Sequence, residues 1–342
     1  MPLETPSERR PRLTPAIADV RRAVRDFLEA LPASDDAPLV LVGLSGGPDS
    51  LALAAAAAFE APRRGMRAGA VIVDHGLQHD SAAVAARAAG QALDLGLDPV
   101  LVRLVQVDAG PGSGGPEAAA RNARYAALDA VRRETSSVAV LLGHTLDDQA
   151  ETVLLGLARG AGASSLHGMA PVSGVFVRPL LGIRRSTTVA ACADAGLEPW
   201  LDPHNADTAF SRVRVRQAVL PVLESELGPG IAEALARTAE QLREDGDALD
   251  HMAEETIEEI VEHAEAGIAI SVGALTANPA ALRNRIIRHV VLSEFGVSLS
   301  RAQTLAAAAL VTDWHGQKGV DLPGIRVVRV AGNLVFQAAS DI

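Results

Sequence analysis

Six consecutive residues, Ser45-Gly46-Gly47-Pro48-Asp49-Ser50, have the composition of an anion cradle. Two glycines let the backbone approach a phosphate closely and aim N–H groups at it. Pro48 suits the first helical turn, where no amide hydrogen is needed. The helix N-terminus behind it adds the positive end of its dipole. Ser45 and Ser50 supply hydroxyl donors for phosphate oxygens. Asp49 is out of place beside phosphates unless a cation or a buried amide needs it. A glycine pair alone means no more than a tight strand–helix turn. The full hexapeptide directly after the apolar run PLVLVGL (38–44) favours phosphate binding instead.

A second constellation is Gly143-His144-Thr145-Leu146-Asp147-Asp148-Gln149-Ala150-Glu151-Thr152. Asp148 and Glu151 are spaced i, i+3 and share a helical face. Acids in a first helical turn are also ordinary dipole partners, but three acids and a histidine exceed what capping needs. Mg²⁺ binds through one or two carboxylates plus substrate phosphates, which makes Asp49, Asp147 and Asp148 candidate metal ligands. A carboxylate there could also accept a proton from an attacking amine. Val73-Asp74-His75 precedes another turn, where backbone groups could read an adenine edge. Glu117, Arg121, Arg124 and Tyr125 fall three or four residues apart on one helix, a pattern that a salt-bridged surface would also produce. Arg212, Arg214 and Arg216 form a basic run, with Arg178 and Arg184 upstream.

The elements that must position these residues alternate. Apolar runs at 38–44, 69–73, 100–107 and 137–142 read as strands. Helical patterns follow at 51–59, 81–95, 117–133 and 147–157, with another before them at 15–31. Such alternation argues for a parallel sheet covered on both faces, with ligands at the carboxyl ends of its strands. A further strand is expected at 175–181 and helices at 184–195 and 212–226. Gly228-Pro229-Gly230 is the expected domain break. Beyond it the sequence reads as helical at 231–264, interrupted near Gly246, and at 279–295 and 300–310, before two terminal strands. The expected organisation is a loose tail at 1–14, a catalytic α/β domain at 15–228 and a mostly helical domain with a short β element at 229–342.

Composition sets the outer bounds. The chain has 342 residues, 48% hydrophobic and only 3% aromatic, so Ala, Val and Leu must build the core of two or three domains. No apolar run is long enough to span a bilayer, and the first residues lack the apolar core of a secretory signal; a cytoplasmic enzyme is expected. The single cysteine, Cys192, leaves no intramolecular disulfide, CxxC pair or cysteine zinc site. The single lysine, Lys318, is followed by Gly319, so there is no Walker A loop. The net charge of −11 is concentrated: residues 231–266 hold twelve acids and two arginines, leaving the rest of the chain near −1. Basic segments at 178–185, 212–216 and 283–288 are candidate phosphate contacts.

The hexapeptide resembles the SGGxDS signature of the PP-loop, or N-type, ATP pyrophosphatases, which cleave ATP to AMP and pyrophosphate. Together, SGGPDS, VDHGL, EAAARNARYAAL, GHTLDDQAET, LLGLARGAGASSLHGM, RPLLGIRR and WLDPHNAD resemble the tRNA(Ile)-lysidine synthetase family over about residues 38–226. The resemblance implies an adenine nucleotide alpha hydrolase-like fold using ATP and Mg²⁺, with tRNA(Ile) bearing a CAU anticodon and free lysine as partners. ATP would adenylate C2 of cytidine 34, and the lysine amine would then displace AMP. Decoding would change from AUG to AUA and charging from Met to Ile. Pyrophosphate would leave from Ser45–Ser50. Val73, Asp74, His75, Gly143 and His144 would line the nucleotide. Asp148 would hold Mg²⁺ or orient the lysine, and Glu151 would contact the lysine or act as base. Arg124 and Arg212 would neutralise phosphate. Glu117, Arg121, Tyr125, Arg178, Arg184, Arg214 and Arg216 would meet substrate or tRNA. The family's Arg-Asn-Arg-like run is replaced here by SRVRVRQAVLP, and its role falls to Arg212 or Arg214. The oligomeric state is open, a homodimer included. Two alternatives compete. A PP-loop enzyme that thiolates tRNA typically needs several cysteines. A non-catalytic nucleotide- or RNA-binding module would have no use for Asp148 and Glu151.

Overall fold

The computed structural model describes residues 13–31, 37–76, 80–106, 116–160, 162–264 and 267–339. The expected tail therefore lies almost wholly outside the described residues. Residues through Glu240 form one compact unit and those from Gln241 a second.

In the first unit, α1 (Pro15–Ala30) leads to β1 (Leu39–Gly43), α2 (Pro48–Glu60), β2 (Arg67–Asp74) and α3 (Ser81–Asp94). Then come β3 (Val100–Leu104), α4 (Pro116–Glu134), β4 (Ala139–Leu142) and α5 (Leu146–Ala158). A short α6 (Ala163–Leu166) precedes the small hairpin of β5 (Val172–Ser173) and β6 (Phe176–Val177). The sheet order is β3-β2-β1-β4-β6-β5, parallel except for the β5–β6 pair. The chain winds from β1 outward through β2 to β3, then crosses back to β4 on the other side of β1. The order therefore reverses between β1 and β4, and a ligand crevice opens at the carboxyl ends of those two strands. SGGPDS follows β1 and GHTLDD follows β4, so both chemical motifs sit at that point.

The scarcity of aromatics explains how this unit packs. Leu51, Ala52, Leu53, Ala54, Ala56 and Ala57 of α2 are all buried. A helix apolar all round is one enclosed on all sides. Here α1 and α7 (Arg185–Asp194) cover α2 from outside the sheet. Alanine makes this possible, because small side chains let three helices and a sheet come close without voids.

The strand expected at 175–181 is only β6. Pro179 opens a 3₁₀ turn through Gly182, because proline cannot donate to a strand ladder. Downstream, α8 (Ser211–Arg214) continues through one π turn into α9 (Leu220–Leu227). Gly228, at φ +98°, ends α9. The next helix, α10 (Ile231–Ile260), runs for 30 residues straight through Gly246, without the expected interruption.

The second unit is richer in strands than its sequence suggested. After α10 come β7 (Val261–Ala264), β8 (Gly267–Ser271), α11 (Val272–Ala277), α12 (Ala280–Phe295) and α13 (Arg301–Thr312). The chain ends in β9 (Val320–Leu322), β10 (Ile325–Val330) and β11 (Asn333–Ala338). The sheet is antiparallel, ordered β7-β8-β11-β10-β9. Ile270, Leu275, Ile286, Ile287, Val291, Val327 and Phe336 centre its core.

Candidate active site

The loop after β1 is held in shape by its own side chains. Gly46 has φ +82°, a left-handed conformation that favours glycine. Gly47 is the N-cap of α2 and Pro48 its first residue. The Ser50 hydroxyl accepts from the Ser45 amide at 3.1 Å and donates to the Gly47 carbonyl at 3.1 Å. The Ser45 hydroxyl lies 3.0 Å from that of Ser50. Ser50 is buried, so its hydroxyl braces the loop. The cradle itself is then made of backbone and the helix N-terminus. Gly143, at the end of β4, lies against this turn: a Cβ there would sit 2.9 Å from the Asp49 carbonyl carbon and the Ser50 nitrogen. Only glycine lets β4 approach the phosphate loop so closely.

Beside the loop, four acids and four arginines form one charged cluster. The Asp148 Oδ2 accepts from the Thr145 amide and hydroxyl, each at 2.9 Å, which closes a capping box at the start of α5. Its Oδ1 accepts from Arg185 Nη2 at 2.7 Å. Burial opposes ionisation of Asp148, yet Arg185, the Thr145 amide, Arg212 and His144 outweigh it and hold the carboxyl at about 2. Asp49 accepts from Arg185 Nε at 3.1 Å and from the Thr188 hydroxyl. Its balance is reversed: burial dominates and raises it above the ordinary carboxylate value, despite Arg185 and Thr188. Asp147 accepts from the Arg185 amide at 2.7 Å and lies 3.5 Å from Arg184. Glu151 is fully buried. It meets Arg216 Nε at 2.6 Å, Arg212 Nε at 3.0 Å and Arg185 Nη1 at 3.5 Å.

The three arginines of SRVRVR divide by helical geometry. Arg212 and Arg216 are i, i+4 and both reach Glu151; Arg212 also donates to the Thr152 hydroxyl at 2.8 Å. Arg214 faces elsewhere and donates to the carbonyls of Thr208 and Ala209 at 2.7 and 2.8 Å. The structure thus brings Arg212 and Arg216 to the acids and leaves Arg214 on the local loop. Next to the cluster is a cavity of about 150 Å³ lined by Asp147, Glu151, Arg184, Arg216, Leu220, Pro221, Glu224 and Ala232.

A second face of the site is positive and carries neutral histidine. Burial, with Arg178, Arg124 and Arg121 near, pushes His144 down to about 4 despite Asp148. His75 is lowered too, chiefly by burial and then by Arg124. The Nδ1 atoms of both are buried without a hydrogen-bond partner among the described residues. Arg124 is lowered by burial and by Arg121 and Arg212, against Tyr125, so these cations crowd one place. Arg178 is buried, donating to the Ala170 carbonyl at 2.8 Å and Tyr125 Oη at 3.3 Å. Arg121 also reaches Tyr125 Oη at 3.3 Å. Asp74, at the end of β2, accepts from the Gly76 amide at 2.9 Å, and half-buried Val73 precedes it. Glu117 lies in α4, but its side chain is outside the described residues.

Sequence reasoning missed Thr188 and gave Arg185 only as part of the basic segment 178–185, not as a partner of the acids. The Arg185 side chain touches three of the four acids and its backbone amide the fourth, and the one available signal was a second arginine, after Arg184, opening a helix. In the second unit, two arginines expected to be free for phosphate are engaged internally. Arg283 donates to the carbonyls of Asn278 and Leu275, and Arg285 pairs with Asp250. Cys192 is a buried thiol whose Sγ lies 3.3 Å from the Pro48 carbonyl; burial raises it to about 12.

The donor set does not fit a Mg²⁺ site built from Asp49, Asp147 and Asp148. Every oxygen of these three already faces an arginine, a hydroxyl or an amide. Among the described residues there is no group of three or more metal-ligating side chains that could hold an ion.

A backbone phosphate cradle at the switch point of a parallel sheet, facing a charged cluster on the next strand, is the site of a PP-loop enzyme that uses ATP. The PP-loop domain family matches residues 18–223, and the TilS substrate binding domain matches residues 270–335. The chain belongs to the tRNA(Ile)-lysidine synthase family. It is 66% identical over 299 residues to the tRNA(Ile)-lysidine synthase of Leifsonia xyli subsp. xyli, covering 87% of this chain and 89% of that one. It is 52% identical over 314 residues to that of Thermobifida fusca, covering 91% and 94%. A solved structure of the U34-tRNA thiolase NcsA from Methanococcus maripaludis has the same fold, with a TM-score of 0.55 at 20% identity over 67% of this chain and 80% of that one. No helix among the described residues is long and apolar enough to cross a membrane.

Proposed function

We propose that this chain joins free lysine to C2 of cytidine 34 in the CAU anticodon of tRNA(Ile); its relatives are named tRNA(Ile)-lysidine synthase, which supports the tRNA and the product class. The observation that carries the reading is Arg185, which ties Asp49 of the phosphate loop to Asp148 and Glu151. Loop and acids are therefore one site. ATP lies with its β- and γ-phosphates on the cradle, and the C2 oxygen of the cytosine attacks the α-phosphorus. The O–P bond to pyrophosphate breaks, and the loop amides stabilise the leaving anion. The lysine ε-nitrogen then bonds to C2 and gives up its proton to Glu151, the carboxylate that lines the cavity, while the C2–O bond to AMP breaks and AMP leaves.

The cavity suits the incoming amino acid. Asp147, Glu151 and Glu224 would draw its ammonium groups, Arg184 and Arg216 its carboxylate, and Leu220, Pro221 and Ala232 its aliphatic stem. Asp148, held ionised at about 2, orients charge and does not take up a proton near neutral pH. Arg121, Arg124 and Arg178 would neutralise the adenylate, while neutral His75 and His144 contact the splayed base or nucleotide without adding charge. Mg²⁺ would accompany the phosphates of ATP and offset their charge. Residues 15–228 carry the chemistry and residues 229–342 contact the tRNA, in a cytoplasmic enzyme.

The test is pyrophosphate release from ATP with lysine, with and without unmodified CAU-anticodon tRNA(Ile), alongside the mass of the recovered tRNA. Release should require that tRNA, and the tRNA should gain one lysine. ATP binding with no pyrophosphate under these conditions overturns the reading.

A further inference from the structure

In place of a metal, the acids at the centre of the site hold an arginine. Arg185 Nε lies 3.1 Å from Asp49 Oδ2, Nη2 2.7 Å from Asp148 Oδ1 and Nη1 3.5 Å from Glu151 Oε1, while its backbone amide donates to Asp147 at 2.7 Å. Those acids come from the phosphate loop and from α5, which are distant in sequence; one side chain at the start of α7 holds them together. Thr188, one turn on, fixes the other oxygen of Asp49. Each acid oxygen in the cluster faces a cation or a hydrogen-bond donor: Asp49, Asp147, Asp148 and Glu151 meet Arg184, Arg185, Arg212 and Arg216, and Glu233 pairs with Arg184 at 3.4 Å. A divalent cation added with Arg185 in place would have to displace the guanidinium from these oxygens or lie against it in a largely buried site, which is costly. The phosphates of a nucleotide would remove that cost by bringing their own negative charge.

We propose that Arg185 is the resident cation of this cluster, a positioning residue that holds Asp49, Asp148 and Glu151 together and keeps divalent metal off them, so that metal enters only on the phosphates of a bound nucleotide. Metal binding is then conditional on ATP, so the chain does not carry a preloaded ion. The inference deepens the proposed function by naming how its site is kept in order, and it rests on that reading for the identity of the nucleotide.

The experiment is a Mn²⁺ titration of the full nucleotide-free chain, followed by the electron paramagnetic resonance of free Mn²⁺. No tRNA or lysine is present, so failure here is separable from failure of the lysidine assay. Wild type should show no saturable site where Arg185→Gln shows one, at least about tenfold tighter, since a unit positive charge at contact distance has been removed. Asp148→Asn in the Arg185→Gln background should abolish the new site, and Arg185→Lys should behave as wild type. Adding a non-hydrolysable ATP analogue to wild type should create Mn²⁺ binding. Stoichiometric Mn²⁺ binding by nucleotide-free wild type, lost in Asp148→Asn, overturns the proposal even if Arg185→Gln does not fold. So does a folded Arg185→Gln chain that binds Mn²⁺ no better than wild type.

Discussion

At the end of β1 the chain makes its anion cradle from backbone, a helix N-terminus and two serines bonded to each other. At the end of β4 it packs carboxylates against guanidiniums. The first arrangement stores its function in shape, and its side chains are small. The second stores it in opposed charges removed from water, where each group is tolerable only because its partners are present. The two should therefore fail differently. The cradle should be sensitive to added volume and indifferent to pH, and the cluster should be sensitive to removed charge and to acid.

The largest effect is expected at Glu151, which is fully buried among three guanidiniums that are 21–31% exposed. Breaking a buried pair from one side costs roughly 3–5 kcal/mol, and partial solvation of the arginines places Glu151→Ala near the lower figure, about 3. Urea unfolding of the full chain measures this, and lysine addition to tRNA should be lost. Unchanged stability would mean that the arginines are satisfied without Glu151. The corresponding probe of the cradle is Gly143→Ala, whose methyl would meet backbone at 2.9 Å. Overpacking of this kind costs about 1–3 kcal/mol. Because the clash is with Asp49 and Ser50, ATP affinity measured by calorimetry should fall as well. Full affinity with full stability would show that β4 and the loop can separate freely.

Acid should act on the cluster alone, and the two aspartates should respond in opposite senses. Asp148 falls from an ordinary value of 3.8 to about 2. A depressed carboxylate stabilises the fold above its unfolded value, and the gain is lost as pH falls from about 4 through 2. The shift corresponds to about 2 kcal/mol. Asp49 is raised by burial, so its ionised form is a cost at neutral pH that disappears as pH falls through its folded value. Thermal melts between pH 7 and pH 3 should show Asp148→Asn less stable than wild type at neutral pH, with a flatter acid limb. Asp49→Asn should cost less and keep that limb. Equal behaviour of the two variants would remove the asymmetry.

The same contrast governs what the sequence disclosed. SGGPDS is legible because its meaning is local: glycines, a proline and a following helix act within six residues. The succession of strands and helices that makes a parallel sheet is likewise carried by alternating apolar runs. The role of Arg185 was not legible, because it depends on Asp49, 136 positions away, and on α7 packing over α2. The β7–β8 hairpin was hidden for a related reason: it continues directly from the acid-rich helical pattern of α10. The segment 175–181 misled through its apolar residues, where Pro179 was the stronger signal.

The smallest effect is expected at Arg214, and it tests whether helical phase, not arginine content, defines the cluster. Arg212 and Arg216 are one turn apart and reach Glu151. Arg214, between them, bonds the carbonyls of Thr208 and Ala209 and the Ser211 hydroxyl at 3.0 Å. Those bonds are exposed to solvent, so Arg214→Ala should cost under about 1 kcal/mol. Lysine addition should stay within about threefold of wild type, a change of under 1 kcal/mol in the barrier. Arg216→Ala removes two bonds to a buried carboxylate and should slow lysine addition by more than about tenfold, or 1.4 kcal/mol. Single-turnover rates on the same tRNA preparation compare the pair directly. If Arg214→Ala were the slower of the two, the side chain would have to act on the tRNA itself, and the basic run would be a contact surface rather than a wall of the charged cluster.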